Sequence, residues 1–116
     1  MTKPIVLSID DEKKRKRILQ AYNEFMTQQN AQPQVFDSLD EFKKSQLYQE
    51  ISEEEQEQLK QYKGKNVVVL VFETPEQAIE FIQQIQQKNL INKTQADTLI
   101  ENLEALNESQ YKSGMR

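Results

Sequence analysis

Val67-Val68-Val69-Leu70-Val71-Phe72, followed by Glu73-Thr74-Pro75-Glu76, is the stretch on which the fold turns. Five of the first six residues are β-branched or aromatic, and the run is apolar at every position. A strand with no polar alternation must be buried on both faces, so it predicts a layer on each side. Thr74 then supplies a helix cap, Pro75 suits the first helical position, and Glu76 places acid in the first turn. The helix this opens presents Ala78, Ile79, Phe81, Ile82 and Ile85 to a core. A short loop over 89–93 leads to Thr94 and Asp97, a second cap pattern, and to a last helix carrying Ala96, Leu99, Ile100, Leu103 and Leu106. The short connection predicts an antiparallel pair of C-terminal helices.

Upstream, Ile5-Val6-Leu7 reads as a brief strand between Pro4 and Ser8. Ser8 with Asp11 predicts the cap of a helix whose inward face is Ile18, Leu19, Tyr22, Phe25 and Met26 and whose end falls near Asn30. Gln34-Val35-Phe36 is a second short strand. Ser38 with Glu41 opens a helix with Leu39, Phe42, Leu47 and Ile51 inward. Ser52 with Glu55 opens a third, which offers only Leu59 and Tyr62 to a core and stops at Gly64. The expectation is an α+β fold: a small two- or three-stranded sheet with about five helices, in one domain over 1–108 with a flexible tail over 109–116.

Composition narrows the function. Of 116 residues, 36% are hydrophobic, against roughly 45–50% (glycine included) in ordinary globular chains. Mean hydropathy is -0.84. A thin core gains stability from a bound partner, which favours an oligomer or a complex. The formal charge of -4 removes any global basic field for nucleic acid. There is no cysteine and no histidine. Disulfides, thiolate chemistry, the imidazole proton shuttle and the usual zinc sites are therefore excluded. With glycine only at 64 and 114, phosphate-cradling glycine loops have nothing to be built from. Nineteen acidic residues make carboxylate pairs unavoidable and so uninformative. Ser109-Gln110-Tyr111-Lys112 matches a serine–lysine motif in letters alone. The chain is expected to be non-enzymatic, without cofactor or metal. No stretch approaches the roughly 20 apolar residues of a membrane span, and the N-terminus does not read as a signal peptide. A cytoplasmic location is expected, or export by a route without a cleaved Sec signal.

The candidate contact residues are few. Lys13, Lys14, Arg15, Lys16 and Arg17 form the one dense run of like charge. Five successive helical positions spread around the cylinder, and Arg15 falls on the apolar side, where Asp11 is a candidate partner at i−4. A solvated helix end explains the run most simply; among functional uses, an acidic protein surface suits it better than nucleic acid. Glu53, Glu54 and Glu57 form an opposing acidic face. Leu90 and Ile91, with Leu106, exceed what a small sheet is expected to cover and so offer an apolar docking surface.

Three segments resemble known families. Ile5-Val6-Leu7-Ser8-Ile9-Asp10-Asp11-Glu12 is similar to the opening of a response-regulator receiver domain, which implies magnesium held at Asp10 and Asp11. Glu73 is the nearest acid to the end of the 67–72 strand, so the likeness does not extend there. The plainer account is that these acids sit at a helix N-terminus, favoured by its dipole. Val71-Phe72-Glu73-Thr74-Pro75-Glu76-Gln77-Ala78 resembles the third strand and second helix of an RNA-recognition fold, without its paired aromatic strands. The whole chain, with capped short helices and glutamine-rich faces such as Glu80-Phe81-Ile82-Gln83-Gln84-Ile85-Gln86-Gln87, resembles small effector-type regulators of Legionella. That family includes an inhibitor of effectors that deamidate or transglutaminate ubiquitin. The resemblance implies a non-catalytic inhibitor that occludes a partner enzyme and is delivered to a host cytosol. The leading expectation is thus a protein-binding regulator, a homodimer or the partner of an enzyme, with a magnesium-binding receiver-like domain and a nucleic-acid binder as the alternatives.

Overall fold

The computed structural model describes the backbone of residues 3–114 and the side chains of residues 3–105. Strand β1 (Lys3–Ser8) leads to helix α1 (Glu12–Gln28) and strand β2 (Val35–Phe36). Helices α2 (Leu39–Lys43), α3 (Gln46–Glu50) and α4 (Glu53–Leu59) follow, then a 3₁₀ turn at Lys60–Tyr62. Strand β3 (Val67–Phe72) precedes helices α5 (Pro75–Gln87) and α6 (Lys93–Gly114). The expected tail over 109–116 and the side chain of Leu106 fall outside the residues whose side chains are described.

β3 is the middle strand, antiparallel to β1 on one edge and to β2 on the other. The unit β1-α1-β2 therefore receives β3 between its two strands, a split β-α-β arrangement. All six residues of β3 are buried, as its unbroken apolar run requires. Alternate side chains serve two cores. Val68, Leu70 and Phe72, with Ile5 and Leu7 of β1, pack against α1, α5 and α6. Val67, Val69 and Val71, with Val6, pack against Leu39, Phe42, Ile51 and Leu59 of the segment between β2 and β3. The molecule is an α+β fold of three layers, with the last two helices packed together.

Local sequence accounts for most helix boundaries. Thr74 accepts the Gln77 amide, and Ser52 with Glu55 makes a complete capping box. Ser38 accepts the Glu41 amide, but the Glu41 carboxylate reaches Asp37 instead of Ser38. α1 and α5 both end in a left-handed asparagine, Asn30 and Asn89, with paired reverse hydrogen bonds such as Ala31 to Met26 and Leu90 to Ile85. Gly64, at φ 78°, closes the 3₁₀ turn.

Three boundaries and one buried residue differ from the sequence reading. α1 is capped by Asp11, which accepts the Lys13 amide at 2.9 Å, because β1 continues through Ser8 and leaves that residue extended. α6 is capped by Asn92, whose Oδ1 accepts the Gln95 amide at 2.7 Å, ahead of Thr94. The helix expected over 39–51 is two helices, which brings the total to six. Ser45 breaks it: its hydroxyl donates to the Phe42 carbonyl at 2.6 Å and competes with the helical ladder. Glu55, expected on a solvated helix, is buried beside the equally buried Lys3, with Nζ to Oε1 at 3.8 Å.

One hydroxyl knits the layers together. At the Gln34/Val71 pair, the Val71 amide donates to the Gln34 carbonyl at 3.1 Å. The reciprocal ladder bond is replaced by Tyr22: the Gln34 amide donates to Oη at 2.9 Å, and Oη donates to the Val71 carbonyl at 2.6 Å. The ring stands edge-on to Phe72 and Phe81, with centroids 5.3 and 5.8 Å away. Tyr22→Phe keeps the packing and strands the buried Val71 carbonyl and the partly buried Gln34 amide, so it should lower unfolding free energy by about 1–3 kcal/mol in urea titration. Burial pushes the phenol pKa of Tyr22 up, against the lowering effect of its bonds with Gln34 and Val71, and burial does the same to Tyr62. The unfolded chain ionises both near the ordinary 10.0 while the native state keeps its protons. Stability should therefore hold below that pH and fall as pH climbs past it, and Tyr22→Phe should flatten part of the fall.

Candidate functional site

α1 places the basic run. At roughly 100° per residue, positions 13, 14, 16 and 17 occupy an arc of about 160° on the helix, and position 15 lies opposite. The structure follows this division. Lys13, Lys14, Lys16 and Arg17 are exposed, and none joins an ion pair among the described residues. Arg15 turns inward, with 14% of its side chain exposed, and donates to the carboxylate and the carbonyl of Asp37 at 3.0 and 3.1 Å. The expected i−4 partner, Asp11, is occupied as the cap of α1. Arg15 thus anchors α1 to the start of the β2–β3 connection and does not belong to the accessible basic surface.

The cleft beside this surface has a volume of about 380 Å³ and opens where the β1–α1 and α5–α6 connections meet. Ile9, Ile18, Leu90 and Ile91 line it together with Asp10, Asp11, Lys14, Asn89, Asn92 and Gln95. Leu90 and Ile91 are corrected by this placement: at 8% and 7% exposure they belong to the main core and are not themselves an exposed apolar patch. Leu90 is drawn inward because the reversal at Asn89 folds it back over Ile85. Lys14, Leu90 and Ile91, singled out separately in the sequence, are thereby brought to one cleft.

Asp10 and Asp11 are both exposed there, and one carboxylate oxygen of Asp11 is already engaged with the Lys13 amide. Among the described residues no three carboxylates group to hold a metal ion. The antiparallel sheet also differs from the doubly wound parallel sheet that a receiver domain requires, so that likeness ends with the first strand. Ser8 and Lys14 line the same cleft, and no hydrogen bond joins them among the described residues.

The acidic candidates lie elsewhere. Glu53, Glu54 and Glu57 are exposed on α4, where Glu57 pairs with Lys60 at 3.0 Å. The structure does not bring them to the basic arc as a single site. The RNA-recognition likeness is partly right about topology, since β3 does lie inside a split β-α-β unit. However, the sheet face that such a fold uses for base stacking is here occupied by Leu39, Phe42, Ile51 and Leu59.

Two groups were missed in the sequence. Asp37 carried no signal beyond its charge, and the buried Lys3–Glu55 pair joins a strand to a helix across the chain. Arg15→Ala should lower stability in urea titration by about 1 kcal/mol, whereas Lys16→Ala and Arg17→Ala should each change it by less than about 0.5 kcal/mol.

Comparison with known proteins identifies no relative: no family, no curated protein and no solved structure matches this chain.

Proposed function

We propose that the protein is a non-catalytic regulator that binds an acidic surface of another protein and acts by covering it. A partner enzyme inhibited in this way is the form that the Legionella-type resemblance favours. The observation that carries the reading is the separation within the basic run: four cations are exposed on one arc of α1 without an ion pair among the described residues, while the fifth is spent on Asp37. In a chain of net charge -4, such a local cluster is a specific feature of the surface and not a consequence of composition. Opposite charges across an interface speed encounter and select the partner. The occupied sheet face favours a protein over a nucleic acid as the partner, because it leaves no stacking platform. The exposed Glu53, Glu54 and Glu57 offer a second contact of opposite sign, which also allows a second copy of the chain to dock. A homodimer is therefore part of the proposal.

Affinity capture at two salt concentrations tests it, using the native chain and the variant Lys13→Glu, Lys14→Glu, Lys16→Glu and Arg17→Glu. The expected outcome is one or more captured proteins whose recovery falls at high salt and is lost with the variant, while Arg15 and the fold stay intact. Recovery that persists through charge reversal would remove the basis of the reading. Recovery lost on nuclease treatment would transfer the same residues to nucleic acid.

A further inference from the structure

We propose that residues 37–66 form a hinged cover that lifts from one face of the sheet as a unit, while the rest of the fold stays closed. The helices of this segment span five, five and seven residues, too few to persist without packing. Their buried apolar residues all belong to one cluster, in which Phe42 and Leu59 meet Val67, Val69 and Val71. No residue of the segment belongs to the main core, which is closed by α1, α5 and α6. The paired residues of β1 and β3 and the Tyr22 bridge also lie outside it, and the Ile9 amide's bond to the Asn66 carbonyl at 3.1 Å fixes its C-terminal end. Lifting the segment therefore removes one core and leaves the other whole. Such a division is what gives a protein regions of unequal local stability.

The ends of the segment suit a hinge. It leaves β2, a strand of two residues, and returns to β3 through Gly64 at φ 78°, where an added Cβ would meet no atom within 4 Å. Two ion pairs latch it to the scaffold. Arg15–Asp37 is a rim contact at 3.0 Å, with the carboxylate 73% exposed. Lys3–Glu55 is buried at 3.8 Å, with side-chain exposures of 2% and 8%. The buried pair is the more sensitive to substitution, because removing one partner leaves the other desolvated without its counterion in the closed state.

Native-state hydrogen exchange of the intact chain at low denaturant tests the cover. The slowest amides of α2, α3 and α4 should share one opening reaction, at least about tenfold more frequent than that of β3 and α5. Glu55→Gln should accelerate exchange in the segment on the order of a hundredfold, whereas Tyr22→Phe, which breaks a bond the cover does not use, should accelerate β3 and α5 on the order of tenfold and leave the segment within about twofold. Asp37→Asn should give a smaller, salt-sensitive acceleration of about two- to fivefold. The proposal is overturned if the segment exchanges only together with β3, if its three helices open at unrelated rates, or if Tyr22→Phe accelerates the segment as much as α5. The native chain alone decides the first two outcomes, should the variant not fold.

Discussion

Burying β3 on every side is the requirement from which the rest of the architecture follows. Its six residues hold no polar side chain, so both faces need an apolar layer and both edges need hydrogen-bonding partners. β1 supplies one edge over its whole length, and β2 supplies two residues of the other. Where β2 runs out, Tyr22 reaches from α1 and completes the Gln34/Val71 pair through its hydroxyl. The same ring seals the aromatic cluster with Phe72 and Phe81, so one side chain serves the ladder and the core together.

The two layers over the sheet are unlike in kind. On one face lie three longer helices with reciprocal packing among themselves and against the strands. On the other lies a broken helical connection that interrupts what would otherwise be a β2–β3 hairpin. Ser45 and Ser52 divide it into turns short enough to follow the sheet, and each turn contributes only one or two apolar residues inward. A chain with 36% hydrophobic residues can afford two cores only if nearly all of its larger aliphatic side chains are used. This explains why Leu90 and Ile91 are drawn inside and why the outer surface offers charge more than apolar area.

That economy shapes the functional proposal. With apolar groups committed to the interior, the proposed recognition rests on the exposed cations of α1, the acids of α4 and the polar rim of the cleft between the β1–α1 and α5–α6 connections. The basic run divides into an exposed arc and a structural anchor, Arg15. Its neighbours in sequence share its charge but not its environment, because a helix turns successive residues toward different surroundings.

Reading the residues in order was sufficient for whatever depends on neighbours three or four positions away. The 67–72 strand, the caps at Ser38, Ser52 and Thr74, the stop at Gly64, and the inward faces of α1 and α5 are all local, since helix and strand periodicities and capping bonds act over a single turn. The choice of Asp11 over Ser8 and of Asn92 over Thr94 was less legible, because two residues able to cap stood near each other and packing selected between them. Tertiary structure alone decided the distant pairs. Arg15 finds Asp37 across 22 residues, and Tyr22 finds Val71 across 49. Lys3 finds Glu55, and Leu90 finds the core, for the same reason. Such partners meet only after the sheet has formed, and no local pattern carries the position that the chain takes up in space.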